Sequence, residues 1–235
     1  GYVSFGRETA KGSKKSDLKE FWHFGQELSK KDPLYHEYEK NVQCNELPDF
    51  NKIGRDVFSK LEETGVNILK AIALYLNLDE NYFDKKVIGG NSILRAIHYP
   101  PIQTEPKGAV RAAAHGDINL ITILMGASAE GLQAKTRAGH WIDINPLTNQ
   151  IVVNIGDMLQ RLTNGQLLST SHRVINKNPV LMKKSRYSMP FFLHPIPSMD
   201  LSAIPSTINE NQPKKFKDIT AGVYLDERLK ELGLC

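Results

Sequence analysis

The spacing of apolar positions changes once along this chain, near Gly89-Gly90. Before that point apolar residues recur at three- and four-residue steps. Phe50, Ile53, Val57, Leu61, Ile68, Ile72 and Leu76 predict one amphipathic helix over 49–76, with those side chains on its buried face. Gly65 interrupts it at a cost of about 1 kcal/mol relative to Ala, a position that permits close packing against a sheet. Upstream, Ser16-Asp17 can cap a short helix carrying Leu18, Phe21, Trp22 and Phe24. Residues 1–15 read as loop, 32–46 as irregular, and a second short helix is expected from Asp79.

After Gly89-Gly90 the texture becomes short apolar runs separated by turn residues, the pattern of strands. Eight are predicted, near 93–99, 111–115, 119–125, 131–135, 140–144, 151–154, 167–175 and 186–193. Ala138-Gly139 and Asn164-Gly165 read as hairpin-type turns, and Asn145-Pro146 opens a loop. A polar tail from Pro205 to Lys217 leads to a final helix over Thr220–Leu232. Its apolar positions are Val223, Leu225, Leu229 and Leu232, with Gly233 as the stop.

Eight strands with helices packed outside give a mainly β fold with flanking α-helices, a double-sheet jelly roll. The 235 residues suffice for one sizeable core. The expected division is a helical region over 1–90, a jelly-roll core over 91–200, and a tail and helix over 201–235 packing on the same domain. The net charge of +4 is mild, and the basic residues are scattered apart from Lys11, Lys14 and Lys15. No aromatic-basic stripe accompanies them, so no nucleic-acid partner is expected. No apolar run reaches the roughly eighteen residues of a membrane span, and nothing at the start reads as a signal peptide. Cys44 and Cys235 stand far apart without metal-type spacing, which fits a reducing compartment and a cytoplasmic protein.

The candidate chemistry lies between Arg111 and Ser188. Ala114-His115-Gly116-Asp117 and Thr170-Ser171-His172-Arg173 supply two histidines and a carboxylate in the order His-x-Asp…His. Imidazole and carboxylate suit iron(II), and three ligands on one face leave positions open for small molecules. His115 and Asp117, two apart at a strand end, point to one face, whereas His172 arrives from a later strand. Arg186 and Ser188, two apart in turn, offer a guanidinium fork and a hydroxyl that could grip a carboxylate. A lone histidine in a strand is ordinarily a core residue with its hydrogen bonds met; the combination points to a metal. Gly156-Asp157 reads as a tight-turn pair supporting the His172 strand. Asn154 and Arg173 either orient the ligands or serve the surface, and His98, His140 and His194 read as structural. Arg111 either meets an anionic substrate or forms a structural salt bridge.

Several segments together resemble the isopenicillin N synthase-like group of iron(II)/2-oxoglutarate-dependent oxygenases. They are His98-Tyr99-Pro100-Pro101, His115-Gly116-Asp117, Gly131-Leu132-Gln133, Val153-Asn154-Ile155-Gly156-Asp157, Ser171-His172-Arg173, Arg186-Tyr187-Ser188 and Phe191-Phe192-Leu193-His194-Pro195. The likeness covers most of the chain and is most specific from Leu94 to Pro195. It implies a distorted double-stranded β-helix with iron at its open end. His115, Asp117 and His172 would be the metal ligands and catalytic centre; Arg186, with Ser188 and Tyr99, would hold the distal carboxylate of 2-oxoglutarate.

The implied activity couples decarboxylation of 2-oxoglutarate, to succinate and CO2, to oxidation of a small-molecule substrate, with hydroxylation the leading outcome. Iron(II), 2-oxoglutarate and O2 are the implied cofactor and cosubstrates, with ascorbate as a stimulant. Three alternatives stay open at this level. They are an oxidase of the isopenicillin N synthase type that needs no 2-oxoglutarate, a non-catalytic binding module, and a zinc hydrolase using the same three ligand types. Oligomeric state and substrate identity are not legible. Trp22, His23 and Phe24 fall where such proteins often line the pocket, with a plain packed helix as the default reading. Members usually carry a further N-terminal segment, so this chain, opening at Gly1-Tyr2, is expected to be less stable than one with that segment.

Overall fold

A computed structural model describes residues 1–9, 15–104, 108–147, 149–176 and 179–231. Lys11 and Lys14 of the basic run, the expected end of the last helix at Leu232-Gly233, and Cys235 lie outside them.

All eight expected strands form: β3 (Ile93–Tyr99), β4 (Ala112–His115), β5 (Ile121–Met125), β6 (Leu132–Lys135), β7 (Trp141–Asp143), β8 (Ile151–Ile155), β9 (His172–Val174) and β10 (Arg186–Leu193). Two more precede them, β1 (Tyr2–Val3) and β2 (Glu20–Gly25). The strands make two antiparallel sheets, ordered β1-β2-β3-β10-β5-β8 and β4-β9-β6-β7. Phe21, Ile97, Tyr99, Ala112, Leu124, Leu132 and Val174 pack between the sheets. A larger core joins the outer face of the six-stranded sheet to the helices and the C-terminal tail. Two sheets wrapped on one another are the jelly roll that the strand spacing implied.

The helix expected after Ser16-Asp17 is a correction, since this segment is strand β2. Its aromatics favour a pleated, half-buried surface, and all six residues pair with β3, Phe21 opposite Ile97 and Phe24 opposite Leu94. Asp17 caps nothing: its carboxylate accepts from Ala113 N–H at 2.9 Å and from Lys19 Nζ at 2.8 Å. The loop expected over 1–15 likewise contains β1, paired to β2.

The long helix is α1 (Pro48–Tyr75), but its buried stripe is Asn51, Gly54, Phe58, Leu61, Gly65, Leu69 and Ala73. Of the expected face only Leu61 and the cap residue Leu76 are fully buried, and Ile53 is 58% exposed. Small residues occupy the line of closest approach. A Cβ added to Gly54 would lie 2.2 Å from the Phe24 ring, and one on Gly65 would lie 2.8 Å from Leu193 Cδ2. Large side chains therefore flank the contact, which a periodicity of bulky residues misplaces by about one position.

The short helix α2 (Asp84–Val87) starts later than Asp79, whose carboxylate instead closes a turn onto Asn81 N–H at 2.8 Å. Ala138-Gly139 does join β6 to β7, with Gly139 N–H donating to Thr136 O at 2.9 Å. Asn164-Gly165 is not a hairpin. Both residues have positive φ, and they end an unexpected helix α3 (Asp157–Leu162) through Gly165 N–H to Gln160 O at 2.8 Å. After α4 (Pro179–Met182), the last helix is α5 (Ala221–Glu231), with Ala221 and Tyr224 buried and Val223 53% exposed.

Candidate metal and cosubstrate site

The register of β4 and β9 sets His115 directly opposite His172, their ring centroids 4.4 Å apart. Asp117 lies on the turn leaving β4. That turn is pinned from below by the joint between β8 and α3: Asp157 N–H donates to Asp117 O at 2.8 Å and Met158 N–H to Ile118 O at 3.1 Å. The chains meet so closely that a Cβ on Gly156 would sit 2.0 Å from Asn119 O. Gly156-Asp157 thus supports the His-x-Asp turn rather than the His172 strand, a correction that follows from α3 starting there. The ligand atoms that His115, Asp117 and His172 could offer lie within 4.8 Å of one another.

Hydrogen bonding settles which atoms are free. His115 Nδ1 donates to Ala113 O at 2.7 Å, and His172 Nδ1 to Thr170 O at 3.1 Å. A carbonyl only accepts, so each Nδ1 carries a proton, and in the neutral ring the lone pair is then on Nε2. Burial, and next the neighbouring His172, push His115 below its ordinary pKa and so favour the neutral imidazole. Asp117 is buried; Oδ1 stands 3.7 Å from His172 Nε2, and Oδ2 has no partner among the described residues. An unpaired buried carboxylate oxygen is costly, and a divalent cation beside two imidazole lone pairs would complete it. The three side chains fit iron(II).

Arg186, 1% exposed, opens β10 directly opposite Tyr99 of β3. Its Nε donates to Ala129 O at 3.1 Å and Glu130 O at 3.3 Å, and Cζ lies 5.0 Å from the Tyr99 ring centroid. Burial lowers its pKa while the Tyr99 oxygen raises it. Nη1 is buried and unpartnered among the described residues, so one edge of the fork is fixed and another awaits an acceptor. Ser188, two residues on and buried, shares that face. The cluster fits a carboxylate.

The remaining candidates separate. Arg111 is buried and donates to Lys184 O at 2.8 Å, bracing the chain before β10; it forms no salt bridge among the described residues. Arg173 donates to Gln133 Oε1 at 2.9 Å and covers the Trp141 ring. His98 is held by Glu20 at 2.8 Å and Ser185 at 3.0 Å and stacks on Tyr187, a structural role.

A cavity of about 480 Å³ opens beside His115 and Asp117. Four of its walls went unread in the sequence, Glu8, Lys19, Asn91 and Arg95, and a fifth, His194, was read as structural. The i, i+2 spacing of Asn91, Ile93 and Arg95 was the one available signal for a shared face. Glu8 and Lys19 stood in stretches read as loop and helix. Here Glu8 joins Lys19 at 2.7 Å and Arg95 at 3.1 Å. Burial alone would raise the Glu8 carboxyl, but the two cations outweigh it and hold it at about 2. Arg95 Nε donates to His23 Nε2 at 2.7 Å, and burial holds that imidazole down at about 3, hence neutral.

Known proteins share this arrangement. Residues 90–195 match the model of the 2OG-Fe(II) oxygenase superfamily. A 2-oxoglutarate-Fe(II) type oxidoreductase, hxnY, of Emericella nidulans is 30% identical over 214 residues, covering 87% of this chain and 60% of that protein. The chain therefore spans less than two thirds of that curated relative. Among solved structures, a 2OG-Fe(II) oxygenase family protein from Caulobacter crescentus superposes with a TM-score of 0.90 at 43% identity, covering 98% of this chain and 75% of the other. A full-length protein of Neurospora crassa, solved in complex with alpha-KG and thymine, gives 0.81 at 32% identity, over 98% and 73%. With the jelly roll, the opposed histidines and the buried arginine already in place, these likenesses settle the family: the chain belongs to the 2OG-Fe(II) oxygenase superfamily.

Proposed function

We propose that this protein is an iron(II)- and 2-oxoglutarate-dependent dioxygenase acting on a small molecule. One observation carries the reading: two buried polar atoms lack partners among the described residues, Asp117 Oδ2 on the carboxylate grouped with the two histidines and Arg186 Nη1 on the face of β10. One asks for a cation and the other for an anion, the two things this chemistry needs. His115 Nε2, His172 Nε2 and the Asp117 carboxylate would hold the ion. Arg186 would grip the far carboxylate of 2-oxoglutarate in a planar, directional pair, with the Ser188 and Tyr99 hydroxyls completing it. Iron(II) so held, with 2-oxoglutarate and O2, supplies oxidative decarboxylation to succinate and CO2 coupled to substrate oxidation, chiefly hydroxylation, with ascorbate keeping the metal reduced.

The residues 91–200 carry the ligands, while 1–90 and 201–235 close the cavity through Glu8, Lys19, Leu225 and Leu229. A relative bound to thymine supports a small-molecule substrate. No helix among the described residues is long and apolar enough to cross a membrane, and Cys44 forms no disulfide among the described residues. The test is succinate release from 2-oxoglutarate by protein reconstituted with Fe(II) under O2. It should require the metal and be stimulated by a true substrate. Oxidation of a substrate without succinate would assign the protein to the oxidases that use no 2-oxoglutarate.

A further inference from the structure

The cavity floor beside His115 and Asp117 is a strip of the six-stranded sheet, and its composition changes from one end to the other. Ile93 pairs with Phe192 in the middle, and His23 pairs with Arg95 at one end. At the other end Asn91 and His194 continue the same faces of the two chains, held together by His194 N–H donating to Ser92 Oγ at 3.1 Å. The middle is apolar, and Leu225 and Leu229 face the same cavity.

At the charged end every cation is committed. Lys19, 6% exposed, binds Asp17 at 2.8 Å and Glu8 at 2.7 Å, and Arg95 binds Glu8 at 3.1 Å. Two cations face two carboxylates, leaving no net charge. At the rim Arg228 is paired with Glu231 through Nη2, while its buried Nε has no partner among the described residues, and Asp157 adds a further carboxylate to the wall. On the floor an acidic ligand could be gripped only by taking Lys19 or Arg95 from the half-buried Glu8, which would cost that carboxylate one of its two partners. The neutral end differs. Among the described residues Asn91 makes no side-chain hydrogen bond and the buried His194 Nδ1 has no partner. Burial holds the His194 imidazole down at about 4, so it is uncharged at neutral pH.

Building on the oxygenase reading, we infer that the prime substrate is an uncharged small molecule. It has an apolar body lying over Ile93 and Phe192 and a neutral donor–acceptor edge, of the amide, lactam or imide kind, met by Asn91 and His194. Carboxylic acids are disfavoured on the floor, where both cations, Lys19 and Arg95, are internally paired. The discrimination lies in the repulsive element as much as the attractive one.

The test uses the full chain loaded anaerobically with Fe(II) and 2-oxoglutarate and titrated calorimetrically with matched pairs: thymine and 5-carboxyuracil, benzamide and benzoate, cinnamamide and cinnamate. At least one neutral member should bind, about tenfold or more tighter than its acid, the scale of one unpaired charge or polar group. Glu8→Gln leaves one positive charge unbalanced and should narrow or invert that preference. Asn91→Leu, at a half-buried position, should weaken the neutral members and leave the acids unchanged. An acid that binds more tightly than its neutral partner, or failure of every neutral member to bind, overturns the inference; so does an unchanged preference in both variants. Succinate release is measured in parallel, both without prime substrate and with each compound that binds. Its presence with failed pairs removes only the substrate class, and its absence with intact pairs removes the oxygenase reading.

Discussion

Asp117 and Arg186 are each buried with an atom that has no partner among the described residues, and the proposed chemistry rests on them. Replacing His115, Asp117 or His172 by Ala should abolish turnover and iron binding while circular dichroism stays near that of the parent, since a three-ligand site cannot spare one. Full activity in any of the three would remove the assignment. Arg186→Lys exchanges a fork for a point charge. Hydrogen bonds to charged groups are worth about 1.5–3 kcal/mol, so the apparent 2-oxoglutarate constant should rise roughly ten- to a hundredfold. Iron affinity should hold, and turnover at saturating cosubstrate should fall much less. Glu8 gives a pH signature. Its carboxyl is held at about 2 against an ordinary 4.5. A depressed carboxyl contributes stability that is present above the unfolded value and lost as pH falls from there through about 2. The shift corresponds to about 3 kcal/mol. Urea unfolding of Glu8→Gln should show roughly that deficit at neutral pH and a closing gap toward pH 2; a deficit constant with pH would assign the loss to packing.

At the scale of elements, α1 is placed by what it lacks. Gly54→Ala would gain about 1 kcal/mol of helix propensity in an isolated helix. In the protein the added methyl meets the Phe24 ring at 2.2 Å, and overpacking typically costs about 1–3 kcal/mol. The variant should therefore be less stable in urea, and adding Phe24→Leu should recover part of the loss. A more stable Gly54→Ala would mean that the helix can move off β2 freely. The same contact explains why the buried stripe of α1 was misread: bulky residues mark the flanks of a tight helix–sheet contact, and glycines mark its centre. Strand β2 was misread for a related reason. Its aromatics satisfy a helical count as well as a strand, and only pairing along all six residues with β3 decides between them.

Across the whole molecule, the cavity is assembled from three distant stretches: Glu8 and Lys19 near the start, β3 and β10 in the middle, and α5 at the end. Tyr224 OH donates to Asp157 Oδ2 at 3.4 Å, linking α5 to the joint beneath the His-x-Asp turn. Leu225→Ala with Leu229→Ala removes apolar wall but no ligand. Losing about 1.4 kcal/mol of buried contact is a factor of about ten. The doubly substituted protein should show a prime-substrate KM raised by roughly that much, with iron and 2-oxoglutarate constants unchanged. A shift in the cosubstrate constant instead would place α5 against the other pocket.

The sequence alone determined the eight strands of the jelly roll, because alternating apolar runs between turn residues are a local signal. It also singled out His115, Asp117, His172, Arg186 and Ser188 as a set, because two-residue spacings survive as shared faces on any strand. Tertiary structure decided the rest. That His172 meets His115 follows from the register of β4 with β9, and that Tyr99 meets Arg186 follows from the register of β3 with β10. The ion-paired wall of Glu8, Lys19 and Arg95 has no periodicity at all. Its partners lie 11 and 87 positions apart in the chain, and only closure of the sheet brings their charges close enough to cancel.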